Sequence, residues 1–428
     1  MDNGPRAVVM RLFGLDLSPL RSIPYRRLYV AGLVTSLGQQ ASYVTLPYQL
    51  RQITHSAVAV GVIGLVEVAP LVLGGLYGGY LADIRNRRRI IISFEWVLAG
   101  ATAALVLNGE QSHPSTVVIY LCAFVLAGAG ALQRPSLEAL NQSLVRHDLQ
   151  RAGATLANLR YTGASIVGPT LGGLAAVAAG PTWVYVANLV TYVASLSLLS
   201  RLPSVPGTNS PDTPAQMVRA GLSYLRSRPD IVGTYVVDML AMAWAFPVGF
   251  LPFVAATFGQ RYALSLLYLG LPLGALFATV TSRWTHRVHR YGRAIVASAV
   301  VWGLGIALFA EGRSLVVAVA GLAIAGGADA MSGVFRSTLW NESIPPELRG
   351  RTAGVEMISY SIGPTAGQFR AGAMTAWMSL RSSLVLGGLG AAGSVGVVAA
   401  ALPSLWRFDA RVDPHVEEVR RRRSPESP

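Results

Sequence analysis

The chain of 428 residues has no lysine, one cysteine and few charges of either sign. Charged residues make up 13% of it and apolar residues 52%, against about 25% and about 45–50% in soluble domains. That imbalance indicates a polytopic membrane protein. Without lysine there is no Walker-type phosphate loop and no Schiff-base chemistry, so coupling to an ion gradient or to a partner is expected in place of ATP bound by this chain. Cys122 lies alone in an apolar run and cannot form an intrachain disulfide. Neither a His-Glu-x-x-His zinc helix nor a Gly-x-Ser-x-Gly elbow occurs. No enzyme activity, metal or cofactor is expected, and His286 and His289, three apart in a basic loop, read as solvated.

What the chain does contain is a succession of apolar stretches of about 20 residues, the length that crosses a bilayer as a helix. The first six fall at 28–50, 57–82, 90–108, 115–137, 155–178 and 182–200, and the second six at 231–256, 264–282, 294–311, 314–335, 354–377 and 383–404. Between the two sets, Pro203, Pro206, Gly207, Pro211 and Pro214 mark a linker that leads into an amphipathic piece from Ala215 to Ser227. The expected organisation is an N-terminal arm (1–27), a six-helix half (28–200), a linker with an amphipathic helix (201–230), a second six-helix half (231–404) and a basic tail (405–428). The arm carries Arg6, Arg11 and Arg21 without a long apolar core and reads as a cytoplasmic segment, not a cleaved signal.

Of the 35 basic residues, all arginine, 27 lie in the two terminal segments, the linker and the alternate loops beginning at Arg85. The opposite side holds only Arg51, Arg261, Arg313 and Arg381. Because basic residues collect on cytoplasmic flanks, both termini are expected in the cytoplasm. Arg134, Arg160, Arg336 and Arg370 fall within or at the edges of spans and need separate reasons.

Two echoes relate the halves. Asn141-Gln142-Ser143-Leu144 recurs as Asn341-Glu342-Ser343-Ile344, and Gly168-Pro169-Thr170-Leu171-Gly172 recurs as Gly363-Pro364-Thr365-Ala366-Gly367. Parallel repeats of six spans are the arrangement of two halves that rock about a central site. Glycines four apart give a flat helix face that a neighbouring backbone can approach, and the proline removes one ladder hydrogen bond. Gly163, Gly168, Pro169, Gly172, Gly363, Pro364 and Gly367 are therefore expected to form a close-packed pivot.

Between the second and third spans the chain reads Gly79-Tyr80-Leu81-Ala82-Asp83-Ile84-Arg85-Asn86-Arg87-Arg88-Arg89. Gly79, Leu81, Ala82, Asp83, Arg87 and Arg88 resemble the signature loop of the major facilitator superfamily. Ile84 stands where that pattern has arginine, and Asn86 where it has glycine. The resemblance implies an all-α membrane protein of twelve transmembrane helices in two parallel six-helix repeats, with Asp83, Arg87 and Arg88 in a gating loop, working as a monomer. Gly163, Gly168, Pro169, Gly172 and Gly173 are similar to the fifth-helix pattern of the superfamily's antiporting exporters. Asp238 through Pro247, Gly292-Arg293, Asp329, Phe335 through Thr338, Ile344-Pro345 and Arg349-Gly350-Arg351 resemble the branch of enterobactin-type siderophore exporters, with macrolide exporters as cousins.

Carboxylates at bilayer depth are costly unless paired or hydrated and are functional candidates by default. Glu67, Asp238 and Asp329 are read as proton-coupling candidates, and Glu95 with Arg134 as a structural ion pair. Gln39, Gln40, Tyr43, Met242 and Trp244 are read as cavity lining, suited to a large planar ligand. The expected function is export of an amphiphilic organic molecule across the cytoplasmic membrane by proton antiport, with a siderophore as the leading substrate and multidrug or macrolide efflux as the alternative. A non-transporting membrane sensor or assembly partner is the alternative of another class. The expected partners are the small-molecule substrate, protons and membrane lipid, with no nucleic acid.

Overall fold

The computed structural model describes residues 16–207 and 214–423, and among them the secondary structure is helical throughout, without strands. Arg6, Arg11 and Pro211 lie outside the described residues. The first set of helices is α1 (Ile23–Thr54), α2 (Ala57–Ile84), α3 (Arg87–Gly109), α4 (Thr116–Ser143), α5 (Gln150–Ala178) and α6 (Pro181–Leu199). The amphipathic helix α7 (Pro214–Arg226) follows, then α8 (Pro229–Trp244), α9 (Leu251–Thr257), α10 (Ala263–Val280), α11 (Tyr291–Glu311), α12 (Leu315–Ser343), α13 (Pro346–Met374) and α14 (Leu380–Ala401). Short helices α15 (Pro403–Trp406) and α16 (Pro414–Arg423) close the chain.

Among the described residues nine helical segments are long and apolar enough to cross a membrane. Helices α1, α5 and α13, at 32, 29 and 29 residues, match them in length but carry more polar residues. The twelve expected spans thus correspond to nine strongly apolar segments and three polar ones. The seventh expected span is broken: α8 stops at Trp244, and the chain re-forms a helix only from Val248. Pro247 causes this, since it lacks an amide proton and disfavours the helical conformation of the residue before it. At the junction of α5 and α6, Gly180 adopts φ 96°, a left-handed conformation open to glycine, and Pro181 opens the next helix.

Contacts divide the chain into two compact units, one of Met1–Leu46 and Leu73–Pro211 and the other of Pro47–Val72 and Asp212–Pro428. In the first unit α5 lies against α1 through its glycines. A Cβ on Gly172 would fall 2.6 Å from the Ala41 Cα, and one on Gly168 would fall 2.6 Å from the Gln40 Cβ. In the second unit the equivalent pair on α13 meets α8, where a Cβ on Gly363 would fall 2.9 Å from the Met242 Cβ and one on Gly367 3.0 Å from the Phe246 Cβ. Each repeat therefore presents the same glycine face to the same helix of its own half. Gly163 departs from the expected pivot: a Cβ there meets nothing within 4 Å. Its position on α5 is turned away from the α1 contact, so it takes no part in close packing.

Within the second unit the amphipathic helix is tied down by Arg228, whose side chain is 1% exposed. Its Nε and Nη2 donate to the two Asp230 carboxylate oxygens at 3.0 and 2.7 Å, and Nη1 donates to the Tyr224 hydroxyl and the Ser343 carbonyl, each at 2.9 Å. A buried cation is tolerated when its donors are met in this way.

Gly172→Leu should destabilise the protein by about 1–3 kcal/mol, the usual cost of overpacking. Gly163→Ala should be neutral or stabilise it by about 0.5–1 kcal/mol, the helix preference of alanine over glycine. Thermal unfolding in detergent reads both; equal responses at the two positions would remove the close-approach role of Gly172.

Candidate functional site

The polar groups of the first unit are mostly spent on one another. Glu95 of α3 accepts from Thr35 Oγ1 at 2.9 Å and from Gln133 Nε2 at 2.7 Å, and Gln133 also donates to the Ile91 carbonyl at 3.0 Å. Glu95 is not the partner of Arg134. That arginine pairs with Glu138 at 3.0 Å on the exposed side of α4. Residues 133 and 134 point about 100° apart on a helix, and it is Gln133 that faces inward. Gln39 hydrogen-bonds Tyr192, and Asn188 donates to Ser42 at 2.8 Å. Gln40 lies where α1 meets Gly168, and Tyr43 is 39% exposed.

The signature loop also has its contacts. Asn86 caps α3, its Oδ1 accepting from the Arg89 amide at 3.2 Å, and its Nδ2 donates to Ser204 at 2.5 Å. The Arg87 amide donates to the Val205 carbonyl at 3.0 Å, and Arg88 Nη2 donates to the Ser200 carbonyl. Asparagine in place of glycine thus gives the loop a helix cap and a tie to the segment after α6. At Gly79 there is open space beyond the backbone. Ile84 closes α2, and Asp83 is half-buried.

The second unit holds the charged cluster. Arg336 of α12, with a side chain only 5% exposed, forms an ion pair with Asp238 of α8, itself 5% exposed, and its Nη2 stands 3.8 Å from Asp329 Oδ1. Asp329 lies seven residues before Arg336, two turns along the same face of α12, and its side chain is 42% exposed. The guanidinium also stacks on Tyr360 of α13 at 5.4 Å, and Tyr360 hydrogen-bonds Glu356 one turn earlier. An aromatic column supports the group: Tyr235 and Trp340 ring centroids are 5.2 Å apart, those of Trp340 and Tyr360 6.4 Å, and Trp340 Nε1 donates to Thr234 at 3.0 Å. Ser359 Oγ donates to the Tyr235 carbonyl at 3.2 Å and fixes α13 against α8.

Sequence reasoning named Asp238 and Asp329 but missed the groups that join them. Arg336 stood out only as a charge in need of a reason. Its spacing of seven from Asp329 was the available signal. Glu356 and Tyr360, four apart on α13, carry the same kind of signal.

Chemically, two carboxylates on one guanidinium carry a net charge of −1, which a single proton or a bound cationic group brings to zero. Arginine stays protonated, so the carboxylates are the groups that exchange protons. Asp238 is committed to the ion pair, whereas Asp329 is open and only loosely held.

Glu67 of α2 is half-buried and makes no ion pair or hydrogen bond among the described residues. One turn before it, a Cβ on Gly64 would fall 3.1 Å from the Gln368 Cβ, and Gln368 Nε2 donates to the Val60 carbonyl at 3.1 Å. Met242 packs its Cβ against Gly363, and Trp244 stacks under Arg370 at 5.6 Å beside Gly390. Among the described residues no cluster of three metal-ligating side chains occurs.

Curated relatives named "Enterobactin exporter EntS" resemble the chain over most of its length. The protein of Citrobacter koseri is 29% identical over 383 residues, 88% of this chain and 91% of that one. The protein of Escherichia coli O1:K1 / APEC is 29% identical over 384 residues, with the same coverage. Among solved structures, the nucleoside transporter NupG (D323A mutant) has a TM-score of 0.69 at 16% identity, covering 90% of this chain and 100% of that one. A POT family transporter in complex with 5-aminolevulinic acid has a TM-score of 0.69 at 12% identity, covering 89% and 96%. The pattern of the Major Facilitator Superfamily matches residues 28–368. With its helical fold, its repeated halves and this match, the chain belongs to the Major Facilitator Superfamily and is a multi-pass membrane transporter of small molecules.

Proposed function

We propose that this transporter exports an amphiphilic organic molecule across the cytoplasmic membrane in exchange for protons, and that the molecule is an enterobactin-like siderophore. The observation that carries the coupling is the group of Arg336 between Asp238 and Asp329. A membrane-embedded ion cluster with one loosely held, open carboxylate is the element an antiporter needs: it takes a proton from one side, loses a net charge, and releases the proton to the other. The distribution of arginines supports cytoplasmic termini, which fixes the orientation of the chain in the membrane; the direction of transport rests on the relatives named as exporters. The substrate class rests on the relatives named as enterobactin exporters, which match 88% of this chain.

In this scheme Asp329 carries the proton, and Asp238 holds Arg336 in position for it. Glu67 contributes a second, weaker protonation site. Asp83, Arg87 and Arg88, on Gly79's loop, gate the cytoplasmic side; Gln39, Gln40, Met242 and Trp244, expected as cavity lining, are engaged in hydrogen bonds and helix packing within their own units, which leaves Tyr43, 39% exposed, as the lining residue of the first unit. The protein acts as a monomer in contact with lipid.

Asp329→Asn should abolish substrate-driven proton flux in proteoliposomes while the protein remains folded and binds substrate. Asp238→Asn should lose the flux and also lower thermal stability, because it removes the close partner of a buried arginine, a loss of about 3–5 kcal/mol. Glu67→Gln should reduce the flux without abolishing it. Undiminished flux in both aspartate variants would take the coupling role away from the cluster. At the loop, Asp83→Asn should slow export in vesicles with insertion unchanged, and wild-type rates would remove the gate. For the substrate, cells lacking the protein should accumulate a siderophore intracellularly under iron limitation and not in iron excess; accumulation of macrolides or other drugs alone would favour multidrug efflux.

A further inference from the structure

Four arginines lie within or at the edges of the spans, and the structure accounts for three of them. Arg134 pairs with Glu138, and Arg336 with Asp238 and Asp329. Arg370 stacks on Trp244 and donates to the Met374 sulfur at 2.9 Å and the Ser383 carbonyl at 3.3 Å. Arg160 of α5 makes no ion pair and no hydrogen bond among the described residues, and its Nε is fully buried.

Its seat is nonetheless shaped for it. The guanidinium lies over Gly32 of α1, where a Cβ would fall 2.8 Å from the Arg160 Cζ. A side chain at that position would push the guanidinium aside. Tyr25 and Tyr29 of α1, whose ring centroids are 6.4 Å apart, lie close enough to interact electrostatically with it. Tyr25 is fully buried and spends its hydroxyl on the Gly153 carbonyl at 3.2 Å, so it serves as a wall. Tyr29 is half-buried and has no hydrogen bond among the described residues. Glu95, a buried acid of the same unit, is held by Thr35 and Gln133. Arg160 lies five residues after Thr155, where the fifth span was expected to begin, about 7–8 Å into it at the helical rise, and a permanent cation held there without a counter-ion is costly unless something it meets during the transport cycle supplies the negative charge.

We infer that Arg160, at the Gly32 notch beside Tyr29, binds a carboxylate carried on an aromatic ring of the transported molecule. The guanidinium offers paired donors in the geometry that such oxygens accept, and the tyrosine ring offers a face for the ring that bears them. This rests on the export reading and adds to it a recognition element in the first unit, separate from the coupling cluster of the second. A phospholipid phosphate would satisfy the charge but not the aromatic neighbour.

The test compares binding of 2,3-dihydroxybenzoate and its neutral amide, 2,3-dihydroxybenzamide, to the full-length protein in phosphatidylcholine vesicles. Wild-type protein should prefer the acid at least about tenfold, equivalent to about 1.4 kcal/mol. Arg160→Gln should bring that preference to about unity, and Arg160→Lys, which keeps the charge, should retain part of it. The ratio is taken within each variant, so a general loss of stability does not imitate the effect, and the lysine variant reports if the glutamine variant fails to fold. An unchanged ratio in Arg160→Gln, or wild-type protein that binds neither probe or shows no preference, would overturn the assignment. Loss of acid binding by wild-type protein when phosphatidylglycerol is added to the vesicles would assign the site to a lipid headgroup and overturn it as well. The export reading is tested separately, by metabolite accumulation, which does not depend on Arg160.

Discussion

Inside a bilayer a charge must find its counterpart within the protein, because hydrocarbon supplies none. This constraint distinguishes the two buried arginines of the second unit. Arg228 has all its neighbours arranged around it, with Asp230, Tyr224 and the Ser343 carbonyl accepting its donors. Such a node is fixed. Arg336 is arranged differently: one carboxylate is close and buried, while the second stands 3.8 Å away and is open. A cluster satisfied on one side and loosely held on the other has two accessible charge states, which is the property a coupling element requires. Buried polar pairs give little net stability after desolvation, which fits the coupling role proposed for this group.

Stability comes instead from close helix packing. The matched glycine pairs Gly168 and Gly172 on α5, and Gly363 and Gly367 on α13, each set a helix against the first helix of its own half, α1 and α8. The other sequence echo ends in a matching place as well, since Ser143 and Ser343 are the last residues of α4 and α12. The two halves then diverge in what they bury. The first unit joins Glu95, Gln133, Thr35, Asn188 and Ser42 by hydrogen bonds, and the second concentrates its ion pairs around Arg336 and Arg228. The halves therefore share their packing and differ in their polar chemistry.

Much of this was legible in the residues. Apolar run lengths and the glycine-proline echo carried the helix order, because both follow from the backbone's need to bond within itself in lipid. The break at Ala245–Pro247 was written in Pro247 but was overridden by the apolar character of the run around it. Side-chain partners were less legible. Glu95 and Arg134 looked complementary, yet one residue of helix rotation turns Gln133 inward and Arg134 outward to Glu138. Gly163 shared a glycine pattern with Gly168 but not its face. Asp329 and Arg336, two turns apart, could be paired from spacing alone, whereas the link from Arg336 to Asp238 on another helix required the fold. Asn86 shows the reverse case: a departure from the superfamily pattern that reads as a defect in sequence has a cap and a tie to Ser204 in the structure.

The coupling proposed for Asp329 would separate two kinds of transport that are usually lost together. Exchange of labelled for unlabelled substrate across the membrane needs binding and the rocking of the loaded protein, but no net proton release. Net export against a gradient needs both. The most direct measurement is therefore solute counterflow beside net efflux, with an enterobactin-like siderophore in proteoliposomes of wild-type protein and Asp329→Asn. Counterflow retained and net efflux abolished in the variant is the predicted result; net efflux retained, or both activities lost together in a variant that still folds and binds, would contradict the assignment of coupling to the Asp238–Arg336–Asp329 cluster.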